Sequence, residues 1–231
     1  MSVIIPALDE AGCIGAAIRS ARSAGADEVV VADGGSSDGT ADAARPLADA
    51  LIVSPRGRAA QMNAGARISS GEVLLFLHAD TLLPGGAIGA VLRAIEAGAV
   101  GGAFAVRLGV SPGASVARKA LLRLTARMIN ARARCFRAYT GDQGIFVARG
   151  AFEAIGGYPE IPLMEDVEMS RLIARRGRTT LLPVPVVTSA RHWESRGPVR
   201  TILVMWGLRL SHRLGMSPAR CARIYLSGRR A

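Results

Sequence analysis

Apolar residues come in two rhythms along this chain. In the first hundred positions, short unbroken apolar runs recur between polar segments: "VIIP", "DEVVVADGG", "ALIVS" and "GEVLLFLHAD". A strand with one wet face alternates, whereas a run without alternation is apolar on both faces and reads as a strand buried in a parallel sheet. Between the runs the spacing is helical. Asp9 to Ala24 sets Ile14, Ile18 and Ala21 on one face, "GRAAQMNAGARI" follows the third run, and "PGGAIGAVLRAIEAG" starts with Pro84. In "SSDGTADAA", Asp38 or Ser37 is placed to cap a helix. Regular alternation of strand and helix predicts an α/β fold, a mostly parallel sheet flanked by helices.

The second half is less regular. Ser115 to Ala133 predicts a basic amphipathic helix with Ala117, Leu121, Leu124 and Met128 as its apolar stripe. "GDQGIFVAR" reads as a turn and a strand, and "MEDVEMSRLIARRG" as a helix opening on three acids. The prolines of "TTLLPVPVV" suggest an edge strand. Two terminal helices are expected, Pro198 to Leu214 and Pro218 to Arg229. Ala87 to Val106 is the most apolar long stretch, but Arg93, Glu96 and its glycines make it a helix followed by a strand, so no transmembrane span is expected.

With 231 residues, half of them hydrophobic, the chain can bury one substantial core. We expect a main domain over residues 1–193 and a basic helical extension over 194–231. Cys13, Cys135 and Cys221 are scattered and odd in number, which gives neither a disulfide framework nor a zinc site; with no signal-like start, a cytoplasmic setting is expected. The net charge of +11 comes almost wholly from arginine. Arg118, Lys119, Arg123, Arg127, Arg132, Arg134 and Arg137 form one acid-free block, and a second runs from Arg191 to Arg230 with Glu194 its single acid. Such a surface attracts polyanions. Nucleic acid is disfavoured as the partner because aromatic residues are only 4% of the chain and no stacking platform is visible. An anionic membrane, met peripherally at its inner face, remains an expected contact.

In open parallel sheets, ligands bind outside the carboxyl ends of the strands. Here those ends carry Asp9 and Glu10, then Asp33, then Arg56 and Arg58, then His78 and Asp80. A core needs none of these groups, so their collection on one edge marks a candidate site. Each has a bland reading too: "DGGSSDGT" as a turn and cap, Arg58, Gln61 and Asn63 as an exposed helix face, "MEDVE" as acids at a helix N-terminus. The glycines fit neither the dinucleotide fingerprint nor a Walker loop.

Taken together, "VIIPALDE", "VVVADGGSSDGT", "GRAAQMNAGA", "LLFLHADT", "GDQGIFVAR" and "MEDVEMSRL" resemble the family 2 glycosyltransferases, whose fold is GT-A. "GRAAQMNAGA" with "LLFLHADT" is similar, more narrowly, to the radical-SAM/selenodomain-associated transferase 2 subgroup. The resemblance implies an inverting enzyme that moves a sugar from a nucleotide-sugar to a small or lipid-linked acceptor hydroxyl. It implies a divalent cation, Mg²⁺ or Mn²⁺, at the motif that ends the fourth strand. In this chain that motif is His78-Ala79-Asp80: Asp80 keeps the second acid and suits a hard cation, while His78 replaces the first. By the same resemblance Pro6, Leu8, Glu10 and Asp33 wall the nucleotide, with Arg58, Gln61 and Asn63 near the diphosphate. Gly141, Asp142 and Gln143 form the acceptor-side loop, joined by Arg191 and Trp193. Asp166 is the expected base, with Glu165 beside it. The Gln-x-x-Arg-Trp motif of processive synthases is absent. The rival classes are a non-catalytic nucleotide-sugar-binding protein of the same fold and a basic nucleic-acid-binding protein.

Overall fold

The computed structural model describes residues 1–110, 113–191 and 198–227. One eight-stranded sheet runs through it: β1 (Ser2–Ala7), β2 (Glu28–Asp33), β3 (Ala50–Val53), β4 (Val73–Phe76), β5 (Thr81–Leu82), β6 (Gly101–Leu108), β7 (Ile145–Ala148) and β8 (Thr179–Thr188). The order across the sheet is β3-β2-β1-β4-β7-β6-β8-β5. The first four strands are mutually parallel; β7 runs antiparallel to both neighbours, and β5 is antiparallel to β8. The described helices are α1 (Ile14–Ser23), α2 (Thr40–Ala44), α3 (Arg58–Ile68), α4 (Ala87–Glu96), α5 (Val116–Phe136), α6 (Arg149–Ile155), α7 (Glu165–Arg176), α8 (Pro198–Arg213) and α9 (Pro218–Ser227).

The unbroken apolar runs have the predicted cause. Val3, Ile5, Val29, Val31 and Leu75 face one core with α1 and α4, while Ile4, Val30, Leu74 and Phe76 face a second with α3, α6 and α7. Each strand is apolar on both faces because each face is covered. Helix α3 lies close on β1: a Cβ at Gly65 would stand 2.5 Å from Ile4 Cγ2. Pro6 lies buried within β1, between two partner strands, where a proline is normally excluded. It is tolerated because Ile4 directs its carbonyl to the β4 side, as Leu77 N donating to Ile4 O shows. Pro6, two residues on, presents its missing N–H to the same side, beyond the last β1–β4 partner, Ile4–Phe76. There the two strands separate, and the candidate site lies at this opening.

Several expected boundaries move. Helix α1 begins at Ile14, because Asp9 adopts φ 54° and residues 10–13 form a turn. Neither Ser37 nor Asp38 caps α2; Gly39 holds that position in the left-handed region. Helix α4 begins at Ala87, three residues after Pro84. Strand β8 carries its prolines where β6 flanks one side alone among the described strands, as expected of an edge, because β5 covers only Val187 and Thr188; the prolines also fall at a bulge, where Leu182 pairs Phe104 and Pro185 pairs Ala105, leaving 183 and 184 out of register. Helix α5 is present and capped by Ser115, but it packs through Leu122, Ala126, Ile129 and Ala133 rather than through the expected stripe. Ala117 and Leu124 of that stripe are exposed, and Leu121 and Met128 half-buried.

Candidate active site

Two loops at the ends of β1 and β2 hold each other. Asp9 Oδ1 accepts from Ser37 N at 2.9 Å, Asp9 N donates to Ser36 Oγ, Glu10 N donates to Thr40 Oγ1, and Ala11 N donates to Asp38 Oδ2. Asp33, buried at the end of β2, accepts from Gly35 N, Ser36 N and Ser36 Oγ. The polar run "DGGSSDGT" is therefore a braced wall, with Leu8 exposed beside it.

Carboxylates converge across the mouth of this wall. Arg191, brought in by the end of β8, donates to Glu10 Oε2 at 2.7 Å and stands 3.8 Å from Asp80 Oδ2. The backbone fixes this approach, because Ser189 N donates to Asp80 O. Burial first, then the charges of Glu10 and Asp142, raise the Asp80 carboxyl, against the opposing pull of Arg191 and Arg58. Cys13 also lies here, its thiol bonded to Glu10 Oε2 and pushed up to about 12 by burial and by Glu10. It stays protonated and is not a nucleophile. His78 is held neutral, its pKa pushed down to about 3 by burial and then by Arg58.

A third layer comes from the segment before β7 and the start of α7. Gly141 to Gln143 form a short 3₁₀ turn. A Cβ at Gly141 would stand 2.2 Å from His78 Nε2, so only glycine lets the imidazole lie against this turn. Gly141 N donates to Asp166 Oδ2 at 3.0 Å, and Val167 N donates to Asp166 Oδ1 at 2.7 Å. Asp166 thus occupies the positive end of α7 with both oxygens oriented. Glu165 is buried, and Arg58 Nη1 lies 3.8 Å from its Oε1. Burial and the Asp166 charge raise Glu165 to about 7, with Arg58 opposing. The residue before them, Met164, takes φ 73°, a costly backbone state for a side-chain-bearing residue, and its side chain is locked among Leu208 and Cys221.

Of the residues expected at the site, Leu8, Glu10, Asp33, Arg58, His78, Ala79, Asp80, Gly141, Asp142, Glu165, Asp166 and Arg191 gather around this edge. Others are turned inward, and their expected roles change. Pro6 is inside its strand and walls nothing. Gln61 Nε2 donates to Ala7 O and Ala32 O, clamping the ends of β1 and β2 in a fully buried position. Asn63 makes a two-way amide bond with the backbone of Tyr158. Gln143 is buried, donating to Phe104 O and closing the cap on Thr140. These three amides position the site's loops rather than face a ligand. Trp193 lies outside the described residues. The bracing residues Ser36 and Thr40 were missed, because their partners are distant in sequence.

No group of three metal-ligating side chains occurs among the described residues. A divalent cation nonetheless fits the donor set, because Glu10 and Asp142 crowd negative charge onto Asp80, opposed by two exposed arginines, Arg191 and Arg58. One or two carboxylates completed by phosphate oxygens suffice for such an ion.

A mixed sheet whose parallel half ends in a braced polar wall, facing an acidic pair on a later helix, defines a GT-A glycosyltransferase fold. The sequence profile of glycosyl transferase family 2 matches residues 2–153, and the chain belongs to that family. The fold is similar to that of mannosyltransferase PcManGT from Pyrobaculum calidifontis, solved with GDP-Man and Mn²⁺. The TM-score is 0.65 at 23% identity, covering 94% of this chain and 65% of that chain. It is also similar to S. aureus TarS 1-349 in complex with UDP (TM-score 0.60, 15% identity, 81% of this chain and 60% of that). Glucosyl-3-phosphoglycerate synthase from Mycobacterium tuberculosis, solved with Mg²⁺ and UDP, gives a TM-score of 0.59 at 18% identity, covering 80% of this chain and 69% of that one. The chain thus spans less than two thirds of the first two of these relatives. No curated protein matches its sequence.

Proposed function

We propose that the protein transfers a sugar from a nucleotide-sugar donor to an acceptor hydroxyl with inversion at the anomeric carbon. The observation that carries this reading is the contact chain from His78 to Gly141 to Asp166. It links the donor edge to an oriented carboxylate through one turn. In this reading the wall of Leu8, Glu10 and Asp33 receives the nucleotide. Asp80, with neutral His78 beside it, would hold the divalent cation, which supplies charge stabilisation to the departing diphosphate. Arg58 and Arg191 add positive charge at the same edge. Asp166 takes the proton of the attacking hydroxyl, presented by Gly141 and Asp142. Buried Glu165, restrained by Arg58, orients the pair. The narrower likeness to the radical-SAM-associated subgroup is part of this proposal, as is a cytoplasmic location.

The test is turnover with a panel of nucleotide-sugars with and without Mn²⁺. Removing a general base typically costs about 10² to 10⁴ in rate. Asp166→Asn should keep donor affinity and lose turnover by that order, and Glu165→Gln should lose less. A dead Glu165→Gln beside an active Asp166→Asn would exchange the two roles. Donor binding without hydrolysis or transfer in any condition would favour the non-catalytic sensor, the rival that the missing first acid at His78 supports.

We also propose that an anionic membrane is met by the face formed by α5 and α8. Leu203, Trp206, Leu210 and Leu214 form an exposed apolar stripe at helical spacing, and Leu124 of α5 is exposed as well. Neither helix carries an acid. Exposed apolar groups among acid-free arginines are the complement of an anionic lipid surface. No helix among the described residues is long and apolar enough to cross a membrane, so the contact is peripheral for this part of the protein.

A further inference from the structure

Beside Asp166, two arginines meet without a carboxylate partner among the described residues. Arg132, in the last third of α5, donates from Nε to Ala138 O at 3.3 Å and from Nη2 to Thr140 Oγ1 at 3.1 Å, one residue before Gly141. Arg209, on α8, follows Leu208, which packs against Met164 and Val167 at the start of α7. Its Nε is buried and has no hydrogen-bond partner among the described residues. Neither guanidinium forms an ion pair among the described residues. The two are close enough that burial, and then the charge of Arg209, hold Arg132 down at about 10, while Asp142 and Asp166 pull the other way. A buried donor left unpaired is destabilising, and a nearby like charge adds to that. Folding alone gains nothing from this arrangement.

An oxyanion relieves the repulsion between the two guanidiniums. It would neutralise two cations and accept the fork geometry that arginine presents to phosphate. We propose that Arg132 and Arg209 form an anion subsite on the acceptor side of Asp166, taking a phosphate group carried by the acceptor. This rests on the reading of Asp166 as the base. It narrows the acceptor to a phosphate ester whose reacting hydroxyl reaches Asp166 while its phosphate sits on the arginines.

Inorganic phosphate is the probe, titrated calorimetrically into the full chain, free and saturated with GDP or UDP and Mn²⁺. Phosphate should bind in both states, because the subsite is separate from the diphosphate edge. Charge-assisted hydrogen bonds are worth about 1.5–3 kcal/mol, so Arg209→Gln should weaken phosphate by roughly tenfold to a hundredfold and leave nucleotide affinity unchanged. Arg132→Lys, which keeps the charge, should weaken it less. In phosphate-free buffer Arg209→Gln should melt at or above the wild-type temperature, since it removes an unpaired buried donor. A lower melting temperature would make Arg209 structural and overturn the proposal. Phosphate affinity unchanged in Arg209→Gln, or no phosphate binding by the wild type, would overturn it too. Displacement of phosphate by glycerol 3-phosphate points to a soluble ester, and displacement by phosphatidic acid vesicles to a lipid headgroup. Displacement by neither overturns the acceptor assignment. If GDP and UDP both fail to bind while phosphate binds as described, the donor reading falls and the anion subsite stands.

Discussion

At the scale of the residue, Glu165 has the most informative environment. Its carboxyl is raised from 4.5 to about 7 in the folded protein. Between those values the folded chain holds a proton that the unfolded chain has released. Stability therefore falls as pH rises from about 4.5 to about 7, and the loss persists above that. Glu165→Gln abolishes this titration. Its melting temperature should exceed that of the wild type at alkaline pH and converge with it toward pH 4.5; at about 2–4 °C per kcal/mol for a chain of this size, the gap should be several degrees. Arg58 weakens the effect little, because it is largely exposed and its ion pair is screened. A melting temperature lower than wild type above pH 7 would show that the ionised carboxylate is stabilised. Asp80 makes a second prediction. Asp80→Ala should remove the Mn²⁺-dependent part of GDP or UDP affinity and leave the fold intact, as calorimetry would show; unchanged metal dependence would move the cation elsewhere.

At the scale of the element, the site exists because β1 and β2 outrun β4 and are clamped at their ends. Gln61 provides the clamp, reaching from α3 to Ala7 O and Ala32 O in the dry interior. Gln61→Ala would remove both amide bonds, leaving Ala7 O with its bond from Gly34 N alone, and should destabilise by about 1–3 kcal/mol in urea unfolding. A neutral result would mean that water replaces the amide. The same residue shows what a sequence of this kind reveals. β1 to β4 and α3 were legible because breakers bound runs that are apolar on both faces. The edge bearing Asp33, Asp80 and Glu10 followed from the rule for strand ends. Whether a polar side chain on α3 faces ligand or backbone was not legible: Gln61 and Asn63 have partners 54 and 95 residues away. β5, two residues long, and α6, seven, are too short for a periodic signal. The prolines of β8 did mark a stretch with a strand on one side alone, but the bulge that also carries them gives no sequence signal of its own.

At the scale of the whole molecule, the charge of +11 is segregated from the acidic edge. The site's acids, Glu10, Asp80, Glu165 and Asp166, lie at the ends of β1 and β4 and the start of α7, while α5, α8 and α9 carry no acid. The apolar stripe expected on α5 is not its packing face, and α8 adds a second stripe facing outward through Leu203, Trp206 and Leu210. A solvated helix has no use for Leu, Trp and Leu on one exposed line, whereas a helix lying in a lipid interface needs that arrangement with arginines flanking it. Each arginine near an anionic surface contributes about 1 kcal/mol, falling off within a Debye length. The protein should therefore float with phosphatidylserine vesicles at low salt, weakly at physiological salt and least with phosphatidylcholine alone. Trp206→Glu should reduce flotation at every salt concentration, because it opposes insertion and not only attraction. Arg123→Glu with Arg127→Glu should act mainly at low salt, where the field reaches furthest. Failure to float with anionic vesicles at low salt, or flotation untouched by Trp206→Glu, would leave the stripe to a protein partner instead.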